Sequence, residues 1–158
     1  MSSFYFVAGT VYGAAEHVAE CVADELSRLG HEVQWLETGL ATRLAEPSEA
    51  ILLVITSTTG AGDLPDNVAS EFATLKQQAP YLPHLQYGVI ALGDSSYGET
   101  FCGAGRAFDA LLADLGARRI GERLQIDAIE TLEPERVALA WLPEWLSAAA
   151  AQAPAKIS

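Results

Sequence analysis

Residues 50–67 read AILLVITSTTGAGDLPDN, an uninterrupted apolar run followed directly by hydroxyls, glycines and carboxylates. A continuous apolar strand is typical of the middle of a parallel sheet, where both faces are covered. Gly60 and Gly62 allow backbone angles that other residues resist. A buried strand that ends in such a loop is typical of a binding site in which a ligand lies against the backbone. The competing interpretation is an ordinary mobile loop whose Asp66 caps the next helix.

Strands and helices are predicted to alternate along the rest of the chain. Apolar or alternating runs predict strands at residues 4–8, 31–37, 50–56, 87–93 and 122–128. Apolar residues at helical spacing predict helices that contain Val18, Val22, Leu26 and Leu29, then Val68, Phe72 and Leu75, then Phe108, Leu111, Leu112 and Leu115. Gly30 and Gly116 are expected to end two of these helices.

Two segments interrupt this pattern. The stretch 38–49 contains Gly39 and Pro47 and is too broken to predict a helix. A final helix is predicted from Pro134, and Pro143 is expected to kink or split it. Arg118, Arg119 and Arg123 are expected to lie on a solvated edge near the last strand.

The alternation predicts an α/β fold with a parallel sheet covered by helices on both faces. Residues 1–150 are expected to form a single domain, and residues 151–158 a frayed tail. In such sheets ligands bind beyond the carboxyl ends of the strands, where the strand order reverses. That rule indicates three loops, which follow residues 4–8, 50–56 and 87–93.

Composition excludes several kinds of protein. The formal net charge is −12, so the surface repels phosphate backbones and argues against nucleic-acid binding. The longest apolar run, residues 50–55, is too short to span a bilayer, and the first residues lack the basic region of a signal peptide. Cys21 and Cys102 have no metal-ligand spacing and suggest no disulfide framework, which favours a reducing cytoplasm.

The first loop, GTVYGAAE at residues 9–16, joins a strand to a helix, where amides and the helix dipole favour an anion. It is neither a Walker loop nor GxGxxG, because no Lys-Ser/Thr follows and its glycines are Gly9 and Gly13. Thr10 and the following amides could hold a single phosphate, although an ordinary strand-to-helix turn explains the loop equally well. The third loop lies within LGDSSYGETFCGAG at residues 92–105 and offers Tyr97 as a flat face for stacking.

The second and third loops resemble the flavin loops of flavodoxins and of the FMN domains of diflavin reductases. With GTVYG in the first loop, the chain is most similar to short-chain flavodoxins of the YqcA and MioC type over essentially its whole length. The resemblance implies a flavodoxin-like three-layer α/β/α sandwich with a five-stranded parallel sheet of order 2-1-3-4-5. It also implies bound FMN, electron transfer and no long insertion in the last strand.

Position by position, the resemblance implies a set of cofactor contacts. The phosphate is expected at Thr10, Val11, Tyr12, Gly13, Ala14 and Ala15. One side and the N5 edge of the isoalloxazine are expected at Thr58, Thr59, Gly60, Ala61 and Gly62. The remaining contacts are expected from Leu92, Gly93, Asp94, Tyr97, Phe101 and Cys102, with Gly93 and Asp94 at the pyrimidine edge and Tyr97 stacked on the outer face. In the family, the peptide at the position of residues 60–61 turns to accept a hydrogen bond from reduced N5–H.

The resemblance also shows where this chain departs from many flavodoxins. Tyr12, Ala14 and Ala15 replace hydroxyl side chains, and Thr59 stands where an aromatic residue often covers the inner flavin face. Either Tyr12 or Leu64 could cover that face instead.

The implied function is a low-potential one-electron carrier that shuttles electrons between a reductase and acceptor enzymes. The acidic surface is expected to attract basic redox partners, such as an NADPH-flavodoxin reductase, and the protein is expected to be a monomer. Acidic neighbours of the flavin, for which the candidates are Asp63, Asp66, Asp94 and Glu99, are expected to lower the potential.

Three alternatives stay open at this point. An NAD(P)H-dependent flavin or quinone reductase would need a nicotinamide site, which this chain could build across a dimer. A cofactor-free interaction module would use the same fold without redox chemistry. A signalling receiver domain is disfavoured, because its acidic pocket would replace Gly9-Thr10 and Thr56-Ser57 at the strand ends.

Overall fold

The computed structural model describes residues 2–10, 13–59, 62–94, 98 and 101–152. Along these residues strands and helices alternate, as the apolar periodicity predicts. The strands are β1 (Ser3–Gly9), β2 (Glu32–Trp35), β3 (Ile51–Thr56), β4 (Gln86–Gly93), β5 (Arg118–Arg119) and β6 (Leu124–Asp127). The helices are α1 (Ala14–Arg28), α2 (Leu40–Ala45), α3 (Asp66–Gln78), α4 (Gly103–Asp114) and α5 (Pro134–Gln152).

The strands form one parallel sheet in the order β2-β1-β3-β4, and the fifth position beside β4 is shared by β5 and β6. The amino end of β4 pairs with β5, and its carboxyl end pairs with β6. The predicted order 2-1-3-4-5 is therefore confirmed. The last strand predicted at residues 122–128 is confirmed as β6, and the two-residue strand β5 that precedes it was not predicted. The chain turns between them at Gly121, whose φ is 64°.

Alternate residues of β3 enter the two hydrophobic layers that cover the sheet. Leu52 and Val54 pack with residues of α2, α3 and α4, whereas Leu53 and Ile55 pack with residues of α1 and α5. All six residues of β3 are buried, which is the pattern expected of a central parallel strand. The sheet therefore holds the ends of β1, β3 and β4 rigidly in place beneath the loops that follow them.

Helix α1 shows how the sequence sets a helix and its end. Val18, Val22 and Leu26 are fully buried, as their spacing predicts. Gly30 has a φ of 91° and donates its N–H to the carbonyl of Ser27 at 3.0 Å, while His31 donates to Leu26 at 3.0 Å. This pair of bonds is the Schellman arrangement, so the predicted helix end at Gly30 is confirmed.

Two helices differ from what the sequence pattern predicts. The stretch 38–49, whose sequence is too broken to predict a helix, contains the short helix α2, because Leu40, Ala41 and Leu44 bury one face against the core. Helix α5 continues through Pro143, so the helix does not split there, and the expected kink stays a prediction. A proline removes one helical hydrogen bond, and burial of Leu142 and Trp145 on either side offsets that loss.

A buried charged group ties the fifth sheet position to α4. Asp109 is only 6% exposed and accepts hydrogen bonds from Tyr87 Oη at 2.6 Å and from Arg119 and Arg123, each at 2.5 Å. We call these four residues the arginine cluster. Arg118 and Arg119 are exposed, as expected of a solvated edge, although Arg119 also pairs with Asp109. The expectation is wrong for Arg123, whose side chain is only 23% exposed and pairs with the same carboxylate.

None of the helices among the described residues is both long enough and apolar enough to span a bilayer.

Candidate functional site

The loops after β1, β3 and β4 meet at one edge of the sheet, which we call the carboxyl edge. Gly9 lies beside Thr56 in the sheet register, and Thr56 lies beside Ala91 of β4. The contact continues beyond the strands, because Ser57 donates its N–H to the carbonyl of Gly9 at 2.8 Å. The three loops indicated by the sequence therefore begin side by side at this edge.

The first loop leads into the N-terminus of α1. Gly13 is the N-cap residue with a φ of 88°, and among the described residues no side chain caps the helix. Its N–H donates to Thr10 Oγ1 at 2.8 Å, so the threonine hydroxyl closes the loop. The amides of the first helical turn have no intrahelical partners in any α-helix, and the helix dipole adds partial positive charge there. This end of α1 can therefore bind an anion such as a phosphate.

The second loop folds back on itself near its start. Thr59 and Asp63 form an antiparallel bridge in which each N–H donates to the other's carbonyl at 2.9 Å. Gly62 has a φ of 98° and donates its N–H to the carbonyl of Thr59 at 3.0 Å. The predicted need for a glycine backbone angle at residue 62 is confirmed.

Close backbone contacts join the second and third loops. Thr58 Oγ1 accepts a hydrogen bond from the N–H of Ala104 at 3.3 Å, in the first turn of α4. A Cβ on Gly103 would lie 2.8 Å from the carbonyl oxygen of Gly62, and a Cβ on Gly93 would lie 2.7 Å from the N of Cys102. Glycine at position 103 therefore lets the second and third loops approach closely, and glycine at position 93 lets the two ends of the third loop approach each other.

Cys102 is the N-cap residue of α4 and has a φ of 55°, an uncommon conformation for a residue other than glycine. Its side chain is fully buried, with Sγ 3.5 Å from the carbonyl oxygen of Ala91. Burial raises the pKa of this thiol to about 11, so it stays protonated at neutral pH. Cys102 therefore packs as a small buried residue, and its thiol is not an ionised nucleophile.

A family model described as Flavodoxin matches residues 7–141. The chain belongs to the flavodoxin family. Flavodoxin YqcA of Pectobacterium carotovorum subsp. carotovorum is 44% identical over 152 residues, which cover 96% of this chain and 100% of that protein. Protein MioC of Escherichia coli (strain K12) is 37% identical over 147 residues, which cover 93% of this chain and 98% of that protein.

A solved structure of a cysteine-to-serine variant of a flavodoxin from Pseudomonas aeruginosa is also similar. It superposes with a TM-score of 0.83 at 41% identity and covers 92% of this chain and 97% of that one. The resemblance read from the three loops and the predicted flavodoxin-like fold are therefore confirmed. As a member of this family, the protein is an FMN-binding electron carrier.

Most of the predicted cofactor residues of this flavodoxin lie together at the carboxyl edge. Those described there are Thr10, Gly13, Ala14, Ala15, Thr58, Thr59, Gly62, Leu92, Gly93, Asp94, Phe101 and Cys102. The side chains of Leu92 and Phe101 pack against the two core layers. Val11, Tyr12, Gly60, Ala61, Tyr97 and Glu99 lie outside the described residues, as does the tail from residue 153.

The described residues fit FMN in two respects. The N-terminus of α1 suits a phosphate, and a Cβ built on Gly13 would meet no atom of the described residues within 4 Å. The close approaches at Gly93 and Gly103 bring backbone groups of the second and third loops together at the carboxyl edge, where the flavin ring system is predicted. Within the described part of the chain, no group of three or more His, Cys, Asp or Glu side chains could hold a metal ion.

The sequence did not reveal the contacts of Asn67 with the first loop, and the suggested helix cap at Asp66 is wrong. Asp66 does not cap α3, because Pro65 occupies the N-cap position, no side chain caps this helix and Asp66 is its first residue. Asn67, the next residue, forms hydrogen bonds to the backbone of the first loop. Its partners are 57 and 59 positions away in the sequence, so no local pattern could have revealed them.

Proposed function

We propose that this flavodoxin is a low-potential one-electron carrier that passes electrons from a reductase to acceptor enzymes. One observation carries the proposal: three loops start at the carboxyl edge of β1, β3 and β4, next to a helix N-terminus that no described side chain caps. FMN supplies the redox chemistry when it is bound, and the protein binds it, orients it and tunes it.

The proposed phosphate site is the first loop, from Thr10 to the first turn of α1. Because the loop has no Lys or Arg, amides and the helix dipole would hold the phosphate without neutralising it. The retained negative charge, together with Asp63 and Asp94, would disfavour adding electrons and so lower the potential. Thr58, Thr59, Gly62, Gly93 and the amide of Cys102 would flank the ring system.

The proposed partners are basic redox proteins. A net charge of −12 would steer them toward this surface, and such steering weakens as salt screens the charges. We expect the second-order rate of reduction by a basic flavodoxin reductase to fall steadily as ionic strength rises. A rate that stays constant with salt would contradict this part of the proposal.

The site residues require no protein acid or base, which distinguishes a carrier from a flavin or quinone reductase. We therefore expect no NADPH oxidation by the purified protein, with or without a quinone, until a reductase is added. Steady NADPH consumption by the protein alone would favour the enzyme instead.

We also propose that residues 1–150 act as one domain and that the protein works as a cytoplasmic monomer. Both cysteines are free thiols, which is consistent with a reducing cytoplasm. The two core layers cover opposite faces of the same sheet, which is consistent with one domain. Size-exclusion chromatography with light scattering is expected to give the mass of one chain, and the mass of a dimer would contradict the monomer.

Flavin binding tests the whole proposal. Titrating the flavin-free protein with FMN is expected to quench flavin fluorescence with one FMN per chain. A protein that leaves FMN fluorescence unchanged would contradict the carrier and would favour a cofactor-free interaction module.

A further inference from the structure

Asn67 joins α3 to the end of β1 through two hydrogen bonds. Its Oδ1 accepts the N–H of Thr10 at 2.9 Å, and its Nδ2 donates to the carbonyl of Ala8 at 2.8 Å. The two ends of the amide thus meet complementary partners, which fixes the orientation of the side chain. The bonded groups stand immediately before and after Gly9, so Asn67 holds the point where the first loop leaves the sheet.

These bonds do not serve the helix that carries Asn67. Asn67 is the second residue of α3, which begins after Pro65 and has no side-chain cap. Asn67 is also exposed and lines a cavity of about 310 Å³, so shortening its side chain would leave no sealed void in the core. Its hydrogen-bonding groups therefore matter more than its volume.

The first loop continues the connection to the anion site. Thr10, held by Asn67 through its N–H, accepts the N–H of Gly13 on Oγ1 at 2.8 Å. The carbonyl of Gly13 accepts the N–H of His17 at 2.9 Å. A short series of bonds thus runs from Asn67 through Thr10 to the first turn of α1.

The same contacts tie the second loop to the first. Ser57, at the start of the second loop, donates to Gly9, and Asn67, just after its end, bonds to both neighbours of Gly9. Residues at both ends of the second loop therefore bind three consecutive backbone positions of β1 and the first loop.

We propose that Asn67 is a positioning residue for the cofactor phosphate. It holds the first loop in the shape that presents the α1 amides and keeps that loop in register with the second. This inference rests on the proposed FMN-binding function. Among ordinary side chains of this length, only asparagine supplies both bonds, because an ionised aspartate cannot donate to Ala8 and would repel a phosphate.

The test compares FMN with riboflavin, which lacks the phosphate, on flavin-free full-length protein. Asn67→Ala is expected to weaken FMN binding about tenfold or more, as the loss of two hydrogen bonds implies, and to change riboflavin binding by less than about threefold. Asn67→Asp is expected to weaken FMN binding at least as much. Gln78→Ala, which removes an exposed amide at the far end of α3, should change neither ligand.

Two results would overturn the proposal. Asn67→Ala could leave both affinities unchanged, or it could weaken FMN and riboflavin equally, which would indicate a general loss of loop structure. A wild-type protein that binds neither flavin would instead refute the proposed function itself.

A second measurement avoids mutation altogether. Asn67 is the only asparagine in the chain, so selective ¹⁵N-asparagine labelling gives a single side-chain amide pair in the NMR spectrum. Binding of FMN is expected to shift that pair clearly more than binding of riboflavin does. Equal shifts with the two ligands would contradict the positioning role.

Discussion

The two ends of β4 are secured in different ways. At the amino end, Tyr87 belongs to the arginine cluster, in which a buried carboxylate binds two guanidinium groups and a phenol. At the carboxyl end, Gly93 meets loops joined by neutral hydrogen bonds to the backbone, such as that between Thr58 and Ala104. The first arrangement is costly to break, whereas the second leaves amides and carbonyls near the surface for a ligand.

This difference separates stability from ligand binding within one strand. Loops can carry a binding site when a rigid scaffold positions them. We therefore expect substitutions in the arginine cluster to lower the free energy of unfolding with little effect on FMN affinity. Substitutions at the carboxyl edge should do the reverse.

The largest effect is expected from Asp109→Ala. Removing the carboxylate leaves two arginines and a tyrosine hydroxyl without their shared partner, which should lower the free energy of unfolding by about 3 kcal/mol. That value lies at the low end for buried ion pairs, because the Arg119 side chain is 38% exposed. Urea unfolding measures the change, and Asp114→Ala, an exposed acid at the end of the same helix, is the control. An equal loss of stability in both variants would contradict the role of the cluster.

The arginine cluster should make the free energy of unfolding fall in both acid and alkali. Burial alone would raise the pKa of Asp109, but hydrogen bonds from Tyr87 and Arg119 outweigh it and hold that pKa below its usual value. Its contribution is therefore present above about pH 4, the ordinary aspartate pKa, and is lost as pH falls through the lower folded value. Burial and the bond to Asp109 raise the pKa of Tyr87, so its contribution is present below about pH 10 and is lost as pH rises further.

Urea midpoints measured across pH test this expectation with two isosteric variants. Asp109→Asn should reduce the loss of stability in acid, and Tyr87→Phe should reduce the loss in alkali. Midpoint curves that run parallel to that of the wild type at both extremes would contradict it.

A pair of glycine substitutions in α4 should separate FMN affinity from stability most clearly. In Gly103→Ala the new methyl group meets the carbonyl of Gly62 at 2.8 Å, so the second and third loops must move apart. We expect FMN to bind about tenfold more weakly, which corresponds to about 1.4 kcal/mol. The better helix propensity of alanine, about 1 kcal/mol, should keep the stability close to that of the wild type.

Gly105→Ala is the matched control two residues further on. Its methyl group meets Cβ of Ala91 on β4 at 2.3 Å, inside the core. We expect it to lower the free energy of unfolding by about 1–3 kcal/mol. Fluorescence titration measures FMN affinity and urea unfolding measures stability in both variants. A larger loss of stability in Gly103→Ala than in Gly105→Ala, or a larger loss of FMN affinity in Gly105→Ala, would contradict the comparison.

The smallest effect is expected from Thr58→Val, which removes the acceptor for the N–H of Ala104 without changing the size of the side chain. The lost bond is worth about 0.5–1 kcal/mol, and it should appear as weaker FMN binding of about two- to fivefold. Thr42→Val, on the exposed face of α2, serves as the control and should change nothing. Equal FMN affinities of the two variants would show that the Thr58 hydroxyl does not contribute to FMN binding.

The sequence predicted features that depend on local pattern. The apolar run of β3 and the stripe of Val18, Val22 and Leu26 each follow from one side-chain period, and both are confirmed. The three loops were predicted from the positions of the strand ends and from a family resemblance. They start at one edge of the sheet because parallel strands place their carboxyl ends there. Helix α2 was missed because its six residues give less than two turns of periodicity.

Features that depend on distant partners could not be predicted. Asp109 is separated from Arg119 and Arg123 by 10 and 14 positions, and a strand that breaks at Gly121 brings them together. Asn67 stood within the stretch that decides the fold, yet its partners belong to β1 and the first loop. Hydrogen-bonding side chains reveal such roles only after the topology has placed them.

Potentiometric titration of the FMN-loaded protein, followed by its visible spectrum, tests the electron carrier most directly. The carrier predicts two separate one-electron steps, each with a Nernst slope of about 59 mV per tenfold change in ratio. A single two-electron step, with a slope of about 30 mV, would contradict the one-electron carrier and would favour a flavin enzyme that exchanges electron pairs.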